Sequence, residues 1–290
     1  MKPSKPKKTT EAQKLSVQLS NQEMAKIDAM LKSHPWLKTR NQAAELLIKR
    51  QLKTNVPQIA VFLVGGEGTR LRPMTYELPK PLISFQGKAL SDHLLDLLKK
   101  YGIKKVIFAT GYMGEKISDY YGDGKKFGMS ITCNKEKEFM GTGGAVKLAE
   151  NLVNQTFICG NGDELKDVDI EEMYYLHKAS GALATLALTR VEDPSAYGVA
   201  DLKGTQILRF VEKPKKEEAP SNYINAGFYI MEPKVLSMIP ADKFCSLEKD
   251  VFPKLAKMGK LQGYIFKGQW YDAGTLERYE KALKEWKGIS

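Results

Sequence analysis

Three glycines and three cations crowd one short stretch, Val64-Gly65-Gly66-Glu67-Gly68-Thr69-Arg70-Leu71-Arg72-Pro73 followed by Lys80-Pro81-Leu82. Glycines lack Cβ atoms, so the backbone N–H groups of Gly65, Gly66, Gly68 and Thr69 can approach a phosphate closely. Arg70, Arg72 and Lys80 add positive charge to the same loop. The stretch follows an apolar run, 59–64, that reads as a buried strand. A glycine loop at the carboxyl end of such a strand is where open α/β sheets bind ligands. The chemistry implied is that of a polyphosphate cradle. It is not the dinucleotide fingerprint, because Leu71 stands where the third glycine belongs. It is not the nucleotide-hydrolase loop either, since no Gly-Lys-Ser/Thr follows Gly65 at the required gap.

Other segments carry residue types that suit the same task. In Glu138-Phe139-Met140-Gly141-Thr142-Gly143-Gly144-Ala145 the glycines let a flat base lie against the backbone, and a helix N-terminus follows that favours anions. Asn161-Gly162-Asp163 ends an apolar strand at 156–160. A carboxylate there, facing a phosphate loop, suits Mg²⁺, though an aspartate at a strand end is also an ordinary turn or capping residue. Asp272, in Trp270-Tyr271-Asp272-Ala273-Gly274-Thr275, lies just before a helix and is open to the same two readings. Glu212-Lys213 taken alone would be an exposed ion pair at the end of a strand, worth little.

The pattern GGxGTRLxP…PKPL resembles the signature of the sugar-phosphate nucleotidylyltransferases. The likeness runs from Gln58 to the C-terminus, with further motifs in the family's order: ExxGTAGA at 138–145 (Gly143 replaces the usual alanine), the Glu212-Lys213-Pro214 triplet, Asn225-Ala226-Gly227, and WxDxGT at 270–275. The resemblance implies a Mg²⁺-dependent enzyme that joins an NTP to a sugar 1-phosphate, releasing pyrophosphate. By that match Arg70 and Lys80 are catalytic. Val64, Gly65, Gly66, Gly68, Thr69, Glu138, Gly141 and Thr142 bind the nucleotide, with Glu138 placed to accept hydrogen bonds from guanine. Tyr197, Gly198, Glu212, Lys213 and Asn225 hold the sugar phosphate, and Asp163 and Asp272 bind the metal. The strings 209–214, 223–230 and 246–253 look closest to mannose-1-phosphate guanylyltransferases, which implies GTP and mannose 1-phosphate. Glucose 1-phosphate with dTTP, UTP or CTP is the alternative within the class.

The elements needed to position these residues alternate along the chain. Strands are expected near 58–64, 104–109, 129–133 and 156–160, with helices near 91–101, 114–121 and 143–150, the order of a parallel sheet with right-handed crossovers. Asp169 with Glu172 opens a helix to about residue 180, so the Asp167/Asp169 pair reads as helix capping rather than a metal site. Strands near 183–191, 198–202, 206–212, 223–231 and 261–266 come in closer succession, as in a mixed-sheet lid, and a helix near 276–286 closes the chain. The expected fold is α/β, a Rossmann-like three-layer core with a mixed sheet at 57–290. No hexapeptide repeat follows, so a β-helix extension is not expected within these residues.

The first 56 residues differ. They hold 12 Lys/Arg against 4 Asp/Glu, while the remaining 234 hold 33 against 30, so the net charge of +11 sits mostly at the N-terminus. Residues 1–13 are Lys/Pro/Thr-rich and are expected to be a disordered basic tail. Leu15, Val17 and Leu19 alternate with Ser16 and Gln18 as in a short strand. Capping boxes at Ser20/Glu23 and Thr39/Gln42 open two helices, the first with Met24, Ile27, Met30 and Leu31 and ended by Pro35. Ala44, Leu47, Ile48 and Leu52 are the expected apolar face of the second. This strand-helix-helix module, 14–53, resembles the ribbon-helix-helix fold, in which two chains pair their strands into a ribbon that enters the major groove. The likeness implies a homo-oligomer, a dimer or higher, and DNA as a partner contacted by Lys14, Ser16 and Gln18. A dimerising tether without DNA affinity, and a DNA-binding regulator whose main domain senses a nucleotide sugar, are the competing readings.

No apolar stretch is long enough for a membrane span, and the basic N-terminus has no apolar run of a secretory leader. Cys133, Cys159 and Cys245 are an odd set without CxxC spacing. They argue for reduced thiols in a cytoplasm, against a disulfide framework or a zinc site.

Overall fold

The computed structural model describes residues 16–52, 56–241 and 243–290. The expected tail at 1–13, and Lys14 and Leu15 of the expected strand, lie outside them. The chain divides into two compact units, Met1–Leu47 and Ile48–Ser290.

In the first unit, helix Asn21–Ser33 starts at a reciprocal box. The Ser20 hydroxyl accepts from the Glu23 backbone N–H at 3.3 Å, and the Glu23 carboxylate accepts from the Ser20 N–H at 2.8 Å. The helix ends at His34, whose N–H donates to the Met30 carbonyl, just ahead of Pro35. A second reciprocal box joins Thr39 and Gln42, each backbone N–H donating to the other's side chain at 3.2 Å. It opens helix Arg40–Leu52. Residues 16–20 carry no strand ladder in the single chain. Burial on the second helix falls on Ala43 and Leu46, whereas Leu47, Ile48 and Leu52 are exposed. The expected apolar face is therefore displaced. This helix carries apolar residues on more than one stripe, and a unit of two helices buries only one of them.

The main unit is built on one nine-stranded sheet. Its order is Ser130–Lys135, Lys105–Thr110, Ile59–Leu63, Phe157–Asn161, Tyr223–Met231, Ala184–Arg190, Leu261–Ile265, Gln206–Glu212, Gly198–Lys203. The first four are parallel. Tyr223–Met231 runs antiparallel to both its neighbours, and Leu261–Ile265 is parallel to Ala184–Arg190. The later strands thus extend the same sheet and do not form a separate lid. A strand inserted between two non-consecutive ones cannot be read from local pattern.

Both faces of the sheet are covered. Ile59, Val61, Ile107 and Cys159 share one core with Val146 of helix Gly141–Lys147 and with Phe252 and Leu255 of helix Phe252–Lys257. On the opposite face Phe62 meets Phe108 and Phe228, and Phe108 meets Tyr121 of helix Gly114–Tyr121 with centroids 4.7 Å apart. Burial on both sides explains why the Ile59–Leu63 strand is a continuous apolar run. Asp169 caps helix Ile170–Ser180 as expected, accepting from the Glu172 N–H at 2.9 Å. Asp167 does not cap it; its carboxylate accepts from the Ser290 backbone N–H and hydroxyl, tying down the last residue.

A short antiparallel ribbon matters most to the site. Glu164–Lys166 pairs with Trp270–Asp272, Glu164 opposite Asp272. It carries an aspartate from the end of the chain to the residue that follows Asp163.

Candidate nucleotidyl-transfer site

The glycine loop leaves the end of strand Ile59–Leu63 under tight constraint. A Cβ on Gly65 would lie 2.9 Å from the Gly111 nitrogen. Gly68 has φ +63°, and a Cβ there would lie 2.9 Å from the Thr75 methyl. The Thr75 hydroxyl donates to the Gly68 carbonyl at 3.0 Å and folds the loop back on itself. The turn Lys80–Leu82 is anchored separately. The Pro81 carbonyl accepts from the Ser91 N–H and hydroxyl at 3.0 and 2.8 Å. Ser91 Oγ lies 2.6 Å from the hydroxyl of Tyr121, which donates to Asp92.

Lys80 is buried, and its Nζ lies 2.8 Å from Asp163 and 3.9 Å from Asp272. Burial works against the Lys80 charge, but Asp163, Asp272 and Glu164 outweigh it and hold its pKa above the usual lysine value. Burial likewise works against the Asp163 carboxylate, and Lys80 and Lys166 overcome it, holding that pKa below the usual range. Beside them Glu164 is pushed up, by burial and by the two aspartates, against the pull of Lys166. Glu164 accepts from the Asn161 amide at 2.7 Å and the Trp270 indole at 3.2 Å. The fully buried Lys166 donates to Glu164 at 3.2 Å and to the Gly227 carbonyl at 2.9 Å.

Lys80, Asn161, Asp163, Glu164 and Asp272 line a cleft of about 370 Å³. Of the residues expected from sequence, Gly65, Gly66, Arg70, Lys80, Gly141, Thr142, Asp163, Tyr197, Gly198, Glu212, Lys213, Asn225 and Asp272 all line it. The other four are placed differently. Val64 is buried in the core, Gly68 shapes the turn, and Thr69 and Glu138 are exposed and are not among the residues lining the cleft. The wall carries Glu136 where Glu138 was expected; it is only 7% exposed, and its Oε1 accepts a long bond of 3.5 Å from the Met140 N–H. Burial pushes its pKa up.

Elsewhere on the cleft, Lys213 has a left-handed φ of +48°, rare for a residue with a side chain. Its N–H donates to the Tyr197 carbonyl at 3.0 Å. Burial, with Glu248 nearby, raises the Glu212 pKa. The Asn225 side chain holds the backbone, accepting from Gly227 N–H at 3.0 Å and donating to the Tyr229 hydroxyl at 2.8 Å. Thr142 donates to Glu248 at 2.6 Å and accepts from Leu247 N–H at 2.9 Å, which stitches the glycine segment to the helix beyond it.

Glu136, Glu164, Glu248 and Arg278 line the cleft but were not picked out from sequence as site residues. For Glu136 the signal was ambiguous, because two glutamates lie two residues apart at a strand exit. For Arg278 a signal existed. It is the third residue of helix Leu276–Glu285, where a capping Thr275 would ordinarily be matched by Glu or Gln.

Asp163 and Asp272 both reach Lys80, so their carboxylates converge on one point. Two carboxylates that leave other positions to substrate oxygens fit Mg²⁺. Among the described residues no group of three or more His, Cys, Asp or Glu is arranged to hold a metal alone.

The chain is similar to known proteins in sequence and in fold. The "Probable mannose-1-phosphate guanylyltransferase 2" of Arabidopsis thaliana is 39% identical over 235 residues, covering 78% of this chain and 64% of that protein. The "Mannose-1-phosphate guanylyltransferase" of Mycobacterium tuberculosis is 38% identical over 224 residues, covering 76% of this chain and 62% of that one. The chain thus spans a little under two thirds of the length of these curated relatives. Among solved structures, a putative glucose-1-phosphate thymidylyltransferase from Bacillus anthracis superposes with a TM-score of 0.73 at 28% identity, over 80% of this chain and 96% of that one. HddC from Yersinia pseudotuberculosis, complexed with GMP-PN, gives 0.67 at 29% identity, over 79% and 100%. The nucleotidyl transferase family profile matches residues 59–287, nearly the whole of the unit that carries the cleft, and to that family the chain belongs.

Proposed function

We propose that the chain transfers a nucleoside monophosphate from an NTP to a sugar 1-phosphate, with GTP and mannose 1-phosphate as the substrates. The observation that carries this reading is the convergence of Arg70, Lys80, Asp163 and Asp272 in one cleft that Lys213 also lines. Two polyanions can be brought together only where cations and a metal offset their charge. A sugar 1-phosphate is mostly dianionic near neutral pH, since its second pKa is about 6. Its oxygen attacks the α-phosphorus of the NTP. The new P–O bond forms as the α–β bridge breaks, and pyrophosphate leaves with the electron pair. No protein nucleophile is needed; alignment and charge neutralisation suffice. Arg70 binds the β,γ-phosphates, Lys80 meets the charge growing on the α-phosphate, and Lys213 orients the attacking phosphate. Mg²⁺, when bound by Asp163 and Asp272, neutralises the nucleotide phosphates.

Guanine is favoured by Glu136. This buried carboxylate makes one long hydrogen bond and no ion pair among the described residues. Guanine offers two adjacent N–H donors on one edge, and a carboxylate accepts both. Glucose 1-phosphate with dTTP, UTP or CTP is the alternative. The test is a pyrophosphate-release screen of the NTPs against mannose-, glucose- and N-acetylglucosamine-1-phosphate. Turnover with GTP and mannose 1-phosphate supports the reading, a pyrimidine preference overturns the base, and no turnover with any pair favours a nucleotide-sugar sensor.

The first unit supports a second role. Two reciprocal capping boxes define its helices, and residues 1–56 hold +8 of the net charge of +11. We read 14–53 as a ribbon-helix-helix-like module that pairs two copies and contacts DNA. Among the described residues no helix is long and apolar enough to cross a membrane, and free thiols at Cys133, Cys159 and Cys245 suit the cytoplasm.

A further inference from the structure

We propose that Arg278 is a second phosphate-gripping residue for the sugar 1-phosphate, acting with Lys213; this rests on the transfer reaction proposed above. Three observations carry it. Arg278 lines the cleft. Its guanidinium is aimed by two contacts, Nη1 donating to Asp272 at 2.6 Å and the Cζ carbon 5.2 Å from the centroid of the Tyr197 ring. That ion pair uses one of five N–H donors, and no other side-chain hydrogen bond is made by Arg278 among the described residues. Tyr197 also connects Arg278 to Lys213, since its carbonyl accepts the Lys213 N–H at 3.0 Å. Tyr197 thus joins the two residues, its ring to the Arg278 guanidinium and its backbone to that of Lys213, and all three line the cleft.

The local sequence opposes this placement. Thr275 caps helix Leu276–Glu285 and accepts from the Arg278 N–H at 3.3 Å, which puts Arg278 in the first turn. A cation there faces the positive end of the helix dipole. Residues that break a local rule without a local gain mark functional sites. The gain is a planar fork with free parallel donors, the geometry that matches a phosphate and that lysine lacks.

The experiment compares the full chain with Arg278→Ala and Arg278→Lys. Each is titrated calorimetrically with α-D-mannose 1-phosphate alone, or with glucose 1-phosphate if that is the sugar turned over, and KM is measured for each substrate. The expected result is a loss of about 10- to 100-fold in sugar 1-phosphate affinity for Arg278→Ala, the scale of charged hydrogen bonds. KM for the NTP should stay within about twofold, and Arg278→Lys should fall between, since it keeps the charge but not the fork. Free mannose should bind wild type and variant alike. Equal rises in both KM values would mean that Arg278 merely holds Asp272 and would overturn the proposal, as would a rise confined to the NTP. If Arg278→Ala does not fold, Arg278→Lys decides by the same split. Wild type that releases no pyrophosphate with any sugar 1-phosphate overturns the transfer reaction itself; wild type that turns over while Arg278→Ala keeps the same sugar 1-phosphate affinity and KM overturns this inference alone.

Discussion

Lys80 and Asp163 each keep a charge that burial disfavours, and each does so because of the other. The sign of the linkage follows. Asp163, held below its usual 3.8, contributes stability that is present above that value and lost as pH falls through its folded pKa. Lys80, held above 10.5, contributes stability present below that value and lost as pH rises through its folded pKa. The pair is therefore intact across the neutral range, and pyrophosphate release should show no ionisation limb from it between about pH 5 and 9. A limb in that window that vanishes in Asp163→Asn would contradict the assignment. In the proposed reaction Lys80 meets charge that develops only in the transition state. Lys80→Met should then lower kcat by about 10²- to 10³-fold or more, the scale set by loss of one such donor. The lost ion pair should cost about 1–3 kcal/mol of stability, because Asp163 keeps partial access to the cleft. Near-normal turnover in a folded Lys80→Met, judged by circular dichroism, would remove Lys80 from the chemistry.

At the scale of elements, backbone contact decides where the site sits. Strand Phe157–Asn161 lies against the bulge at Gly227, and a Cβ on Gly160 would come within 2.4 Å of the Gly227 carbonyl oxygen. Gly160→Ala should destabilise the main unit by about 1–3 kcal/mol, the range for overpacking, and should weaken sugar-phosphate binding through Asn225; a melt unchanged within error would refute the close packing. Helix Ile170–Ser180 is keyed to the sheet by His177. One ring nitrogen lies 2.8 Å from the Thr185 hydroxyl and the other 3.2 Å from Glu232. Burial brings its pKa down from 6.5 to about 4. The unfolded chain then takes up a proton that the folded chain refuses, so stability falls as pH drops from about 6.5 toward 4, by roughly 3 kcal/mol in full. Denaturant melts across that range should show the fall in wild type and a smaller one in His177→Gln. The elements themselves were largely legible. Ile59–Leu63, Lys105–Thr110 and Phe157–Asn161 are buried runs, and a glycine-and-cation loop leaves few roles open. Less legible was whatever depends on distant pairing. Leu261–Ile265 inserts beside Ala184–Arg190, and the three-residue ribbon that sets Asp272 opposite Glu164 is too short to give a periodic signal. Glu136 against Glu138 was undecidable for a related reason: which of them turns inward is settled by how the chain leaves its strand.

For the whole molecule, the cleft draws every residue of the proposed chemistry from the second unit, while most of the charge excess, +8 of +11, lies in residues 1–56. The first unit exposes Val17 at 57% and Leu19 at 38%, and the helix that begins in it exposes Leu47 and Ile48 at 39% and Leu52 at 62%. An apolar set of this kind on so small a unit is best explained by a second copy, since few-residue units bury too little surface alone. In a paired ribbon, Val17 and Leu19 would turn inward together, leaving Ser16 and Gln18 facing out. The full chain should therefore sediment as a dimer or larger, and Val17→Asp with Leu47→Glu should shift it toward the monomer mass. Pyrophosphate release per chain should change less than about twofold, because every residue of the proposed chemistry belongs to the second unit. DNA contact makes a separate prediction. Gel retardation by the full chain should weaken steeply with salt, as binding through phosphate neutralisation does, and should be lost with the dimer. A dimer that retards no DNA at low salt would leave residues 14–53 as a tether. A mass unchanged by the double variant would mean that copies do not pair through this unit.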